Sequence, residues 1–338
     1  MNYQYNRNYD TFCFQNCINY ILIENGVRYN EFYINKSMSL IIEKNSDFEL
    51  TYRLDKNCYD VLPEYSDNVR DYFSEFNTYE TFSRNIASLS NDRSIIAGVD
   101  SFYLPYLPFY KKSHGLHSVI MTDYDREREE VHVVDWVEPW CYRGTVGLRE
   151  FLMARSSANT YDEGMFSGIA VKNRWKEISH RQWSGELPDL ITSGFALSLK
   201  QYYFPECNDT ITIKGIYALR YIQETLVKAK KLSESNQEIL YTEVHKIMYK
   251  FIHRKKFWID FLEHIPKEYY NNDLSNIVNE LSRQCNEWEC FLYKFLVLKA
   301  RGKLCREPGL SVQLGQLIDM EEKAGQLLLD YYIDCFNH

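Results

Sequence analysis

The sequence predicts an α+β protein in which an N-terminal helix packs on an antiparallel sheet and a C-terminal all-helical region follows. Three observations lead there. Apolar residues recur at helical spacing just after residue 12, two strand-like runs flank a charged turn between 117 and 136, and beyond Trp175 helical periodicity takes over. The change of pattern divides the chain into a mixed domain at 1–174 and a helical domain at 175–338. The 338 residues are enough for two domains of ordinary size.

Along the mixed half, Cys13 to Asn25 reads as a helix. Phe14, Cys17, Ile18, Ile21 and Leu22 fall at the three-and-four spacing of a buried stripe, and Gly26 supplies the stop. Ser37 to Ile42 is a short apolar run with strand character, and Ser66 to Leu89 reads as a helix with one solvent-facing side. Ser94 to Asp100 (SIIAGVD) has the composition of a buried strand and leads into the extended, proline-punctuated YLPYLPFY. Strands at 117–123 and 130–136 follow, joined by YDREREE, which is a hairpin with a long loop. A further strand is expected at Ile169–Val171, after Gly164 and Gly168.

In the second half, helices are expected near 186–202, 212–232, 236–263, 273–301 and 311–335, separated at Pro205, Pro266 and Pro308. Stretches such as NIVNELSRQCNEWECFLYKFLVLKA alternate apolar and charged faces at helical period. This half offers a cover for the first domain or a homodimer interface.

Composition narrows the function classes. Hydrophobic content is 45%, which supports a sizeable core and argues against wholesale disorder. The net charge of −8 argues against a general nucleic-acid binder. MNYQYNRNYD pairs no basic region with an apolar stretch, and no run approaches the ~20 apolar residues of a membrane span. A cytoplasmic location, with reduced cysteines and no membrane partner, is the expectation. The nine cysteines include no C-x-x-C pair, so zinc-ribbon and dithiol redox motifs lack support.

Three separated residues carry the chemistry: Cys13 at the helix start, His117 heading HSVIMTDYD, and Asp135 closing HVVDW. A thiol in the first turn of a helix gains acidity from the positive end of the dipole, an imidazole in reach deprotonates it, and a carboxylate behind fixes the tautomer. Pairing the two strands about their turn sets His117 opposite or diagonal to Asp135, where Cβ atoms about 4.5–5.5 Å apart let the carboxylate reach the ring. Cys17 shares the helix face of Cys13. Only the first-turn position has free backbone N–H groups for an oxyanion, so Cys13 is the nucleophile candidate and Cys17 a core residue. His114 lies three residues before His117. Its HGLH context has neither a helical HExxH pattern nor a companion cluster, so no metal is expected. Gln4, Asn6 and Asn8 are candidate side-chain oxyanion donors, with no spacing argument to choose among them. No glycine-rich phosphate loop occurs, so no nucleotide cofactor is implied.

The order Cys, His, Asp is that of papain-like enzymes, and the segment Ser94–Pro139, with VDSFYLPY, HGLHSVIMTDYD and VHVVDWVEP, resembles the N-terminal domain family of the butirosin-biosynthesis acyltransferase. The resemblance covers about residues 9–172. It implies a papain-like fold in which Cys13 is nucleophile, His117 general base and Asp135 the orienting carboxylate. It also implies amide formation in natural-product biosynthesis: an acyl or peptidyl group passes from a phosphopantetheine thioester on a carrier protein to a small amine. Relatives of the closthioamide type join a carrier-bound peptide to a diamine. Lys111 and Lys112 offer cationic charge to an acidic carrier protein. Where related sequences often carry Gly-Tyr-Asp after the His strand, this chain has Asp123-Tyr124-Asp125. Two other readings use the same residues: a cysteine peptidase or thioesterase in which water resolves the acyl-enzyme, and a non-catalytic binding or scaffold protein.

Overall fold

The computed structural model describes residues 13–33, 37–44, 50–52, 61–72, 77–136, 141–162, 166–179, 183–206, 211–266, 268–269, 272–307 and 309–336. Two compact units emerge. One comprises Met1–Ile34 and Tyr59–Gly185, the other Asn35–Cys58 and Glu186–His338. The division differs from the single cut at 174/175 in two places. A strand just beyond residue 174 belongs to the first unit's sheet, and an early excursion of the chain belongs to the second unit.

The first unit is built on a six-stranded antiparallel sheet. Its strands are β3 (Val69–Tyr72), β4 (Arg93–Asp100), β5 (Leu116–Asp125), β6 (Glu130–Asp135), β7 (Tyr142–Gly147) and β8 (Trp175–Ser179), in the order β3-β8-β4-β5-β6-β7. Helix α1 (Cys13–Glu24) runs along β5, and α2 (Thr78–Leu89) and α3 (Leu148–Ser156) pack through Phe82, Phe151 and Leu152. Those side chains meet Ile95, Ala97 and Val99 of β4, Val119 and Met121 of β5, and Val131 and Val133 of β6. The alternate residues of β4, β5 and β6 therefore form one continuous apolar face. Asn77 caps α2 by accepting from the Glu80 backbone N–H at 2.8 Å.

Helix α1 begins at Cys13 and stops as expected. Gly26 takes φ +66°, and the Val27 N–H bonds back to the Leu22 carbonyl at 3.0 Å. Its residues from Phe14 to Leu22 are all buried. Burying Ile18, Ile21 and Leu22 contributes roughly 1.5–3 kcal/mol apiece, which fixes the helix axis and with it the place of Cys13.

The second unit contains α4 (Leu187–Ser198), α5 (Gly215–Lys228), α6 (Glu234–Glu263), α7 (Asn272–Ala300) and α8 (Gly309–Phe336), close to the expected helices. It is not all-helical. A three-stranded sheet in the order β2-β1-β9 joins β1 (Ile41–Lys44), β2 (Leu50–Tyr52) and β9 (Thr212–Lys214). Two further expectations are corrected. The helix expected over Ser66–Leu89 is a short 3-10 turn, then β3, then α2, because 69–72 pair with β8. Ile169–Val171 form no strand; β8 begins four residues later. The α+β class, with a mostly helical C-terminal region, is compatible with a papain-like fold.

Candidate active site

Three elements deliver the site. Helix α1 presents Cys13 at its first position, where the backbone N–H groups of the first turn have no intrahelical partner. Strand β5 carries His117, paired across to Val99 of β4. Strand β6 ends on Asp135.

A bulge sets the last two on the same side. Near the turn, Asp125 faces Glu130 and Asp123 faces His132. The register then shifts between Met121 and Asp123, so that Met121 faces Val133 and Ile120 faces Val134. Continued one step, Asp135 comes level with Val119, diagonal to His117 and on the same face. Had the register of the turn end run on unshifted, Asp135 would lie level with Ile120 and point away, because side chains alternate with period two.

His117 Nε2 lies 2.8 Å from Asp135 Oδ2. The imidazole also hydrogen-bonds Cys13, which leaves Nδ1 for the sulfur. Asp135 is 0% exposed and Cys13 partly exposed. Burial opposes the Cys13 thiolate, yet the His117 charge, together with hydrogen bonds from His117 and Ser118, brings the thiol below its ordinary value. Burial likewise opposes the His117 imidazolium, but the charges of Asp135 and Cys13 and their hydrogen bonds hold it well above an ordinary histidine. The resting form this favours is a thiolate–imidazolium pair, the activated state of a cysteine nucleophile.

Cys17 behaves differently. Its thiol is 1% exposed and donates to the Ser118 carbonyl at 3.5 Å. Burial, then the charges of Cys13 and Asp135, push it well above the ordinary thiol range. It stays a protonated core residue, as the sequence suggested.

Several contacts escaped the sequence reading. Tyr106, in the loop after β4, donates to Asp135 Oδ2 at 2.8 Å. The Ser118 side chain bonds Cys13. His114 has a carboxylate partner, Asp100, at 2.7 Å, and its ring stacks on Phe102 with centroids 4.3 Å apart. The stretch YLPYLPFY reads as extended and proline-punctuated, and nothing in the spacing of its tyrosines marks one of them as a ligand of Asp135. Gln4, Asn6 and Asn8 lie outside the described residues, and among the described residues no group of three or more metal-ligating side chains forms.

Residues 65–136 match the family model for butirosin biosynthesis protein H, N-terminal. The family the sequence resembles is thus the family this segment matches, and it is one of biosynthetic enzymes. The butirosin-type segment spans β3 to the end of β6 and contains Tyr106, His117 and Asp135; Cys13 lies upstream of it. A search of curated proteins finds no match to the chain. Among the described residues no helix is long and apolar enough to cross a membrane.

Proposed function

We propose that the protein is a cysteine-dependent acyltransferase that forms an amide, moving an acyl or peptidyl group from a carrier-protein thioester to a small amine. The observation that carries this reading is the contact of Cys13 with His117 and of His117 with Asp135, the sulfur biased towards thiolate and the ring towards imidazolium. The butirosin-type match supplies the biosynthetic context.

In the first half-reaction the Cys13 thiolate attacks the thioester carbonyl. The C–S bond to phosphopantetheine breaks, the departing sulfur takes the proton from His117, and an acyl-cysteine remains. In the second, an amine adds to that carbonyl and yields a proton to His117 as the new C–N bond forms. The Cys13 thiolate is expelled, and the relay returns to its starting charge state. A thiolate leaving group needs little protonation, so a thioester suits a site whose general acid is one histidine. Free N–H groups at the start of α1 are the available oxyanion donors. Closthioamide-type transfer of a peptidyl group to a diamine is the finer form of this proposal.

The test incubates the protein with an acyl-carrier thioester and follows intact mass. The expected result is one acyl adduct on Cys13, its disappearance on adding an amine, and an amide product. Cys13→Ala carries no adduct. Free acid in place of amide, with amine present, would replace this reading by hydrolysis. No adduct with any thioester offered would leave the binding or scaffold reading.

A further inference from the structure

We infer that Tyr106 is a positioning residue for this site: its hydroxyl holds Asp135 Oδ2 on the histidine and shares that oxygen with the imidazole. The inference rests on the acyltransferase reading for its consequence in turnover, but on geometry alone for its effect on the thiol–imidazole pair.

Asp135 is 0% exposed, and its two oxygens are treated unequally. Oδ2 accepts from His117 Nε2 and from the Tyr106 hydroxyl, both at 2.8 Å, whereas Oδ1 is buried with no hydrogen-bond partner among the described residues. A buried carboxylate held by one oxygen is free to rotate about its terminal torsion unless a second fixed donor defines its plane. Tyr106 is that fixed donor. Its ring stacks on Tyr142 with centroids 3.9 Å apart and planes 4° from parallel, and the Tyr142 hydroxyl is anchored to the Thr145 carbonyl of β7 at 2.8 Å. The neighbouring strand thereby sets the direction of the tyrosine hydroxyl. Burial, then the Asp135 charge, hold the phenol well above its ordinary value, so it remains a donor throughout the working range.

Sharing one oxygen also limits how strongly the carboxylate grips the imidazolium proton. A carboxylate that loses one of two donors becomes more basic towards the other. The titratable groups facing the pair are Cys13 and Cys17 from α1, Asp135 from β6, Tyr142 from β7 and Tyr106 itself. None of them replaces the lost donor: Cys13 is engaged with His117, Cys17 donates to the Ser118 carbonyl, and Tyr142 donates to the Thr145 carbonyl.

The test is Tyr106→Phe in the full chain, which keeps the ring and its stack. Cys13 reactivity with iodoacetamide, and the ring nitrogen NMR shifts of His117, are followed against pH without any substrate. The expected result is a thiolate–imidazolium window whose alkaline edge moves to higher pH. Turnover of acyl thioester falls about tenfold, with KM within about twofold because the residue does not reach the substrate. A folded Tyr106→Phe protein with an unchanged pH profile overturns the inference, whatever its turnover. Should Tyr106→Phe not fold, 3-fluorotyrosine at 106 serves: a stronger donor should move the alkaline edge to lower pH, and no movement overturns the inference. Failure of the acyltransferase reading looks different. There Cys13 takes no acyl group in the natural chain, while the Tyr106→Phe profile still shifts.

Discussion

Asp100 and Asp135 are both 0% exposed and both touch a histidine, yet their surroundings assign them different work. Asp100 uses both oxygens. Oδ2 takes His114 Nδ1 at 2.7 Å and the Ser157 hydroxyl at 2.6 Å, and Oδ1 takes the backbone N–H groups of Phe102 and Gly115 at 3.1 Å each. That carboxylate ties three stretches of chain together and has nothing left to offer a reaction. Among the described residues Asp135 is engaged through one oxygen only, and its histidine faces a thiol. Asp100→Asn should therefore cost about 1–3 kcal/mol in denaturant unfolding, since an amide N–H would meet existing donors, and leave the pH profile of Cys13 alkylation in place. Asp135→Asn should do the opposite. Without its anion the imidazolium is no longer held above the ordinary range, Cys13 loses thiolate character, and acyl transfer falls about a hundredfold or more. The signs follow from the two shifts. A thiol held low ionises at lower pH than free cysteine, and an imidazole held high keeps its proton beyond the usual histidine range. Reactivity of the natural chain should thus be broad in pH, and that of Asp135→Asn should collapse towards an ordinary thiol curve. Cys17→Ala, which removes only a buried thiol, should keep the natural profile. The sequence marked Cys13, His117 and Asp135 because helix start, strand start and strand end are local patterns. Tyr106 left no such mark, since its role depends on a stack with Tyr142, thirty-six positions along the chain.

At the scale of elements, the register of β5 against β6 decides whether the site exists. The hairpin was legible from two apolar runs and a polar turn, and simple pairing about that turn sets His117 opposite or diagonal to Asp135. The placement is reached by another route: the register slips by one residue between Met121 and Asp123, and only the slipped register turns Asp135 towards His117. A bulge has no composition signature in MTDY that would announce it. The same limit explains β3 and β8. In β8 Lys176 and Glu177 are buried, one with its ammonium 4.6 Å from the Phe14 ring centroid, the other bonded to Ser88 and Arg93, so the strand lacks the alternation by which strands are read. Deleting Thr122, the residue left over at the bulge, makes Met121 and Asp123 neighbours, and these already face the neighbouring Val133 and His132. The two stretches of ladder then join with every pair kept, and Asp135 stays level with Val119. The expected outcome is near-native circular dichroism with the natural pH profile of Cys13 alkylation. A profile like that of Asp135→Asn would show that the bulged backbone itself, and not the register alone, places the carboxylate.

Across the whole molecule, each unit has its own core, and the helical one is organised around charge as well as apolar surface. Its five helices were legible from period and proline breaks. Its small sheet was not, because β1 finds β9 some 170 residues away and neither run is long enough to signal a partner. At its centre Lys255 of α6 and Glu321 of α8, both 0% exposed, meet at 2.5 Å. Glu321 also accepts from the Trp288 indole at 2.8 Å and the Tyr202 hydroxyl at 3.2 Å, whereas among the described residues Lys255 has besides it only the Gln284 amide oxygen at 3.4 Å. The two partners are therefore not equivalent. Lys255→Met leaves a buried carboxylate with two donors and should cost about 3 kcal/mol. Glu321→Leu strands the ammonium and removes the acceptor of two buried donors, so it should cost more than Lys255→Met. Trp258 and Trp288 are the tryptophans of this unit and report its unfolding by fluorescence. Glu321→Leu proving the milder of the two in that measurement would mean that Lys255, rather than the carboxylate, is the hub on which the other side chains depend.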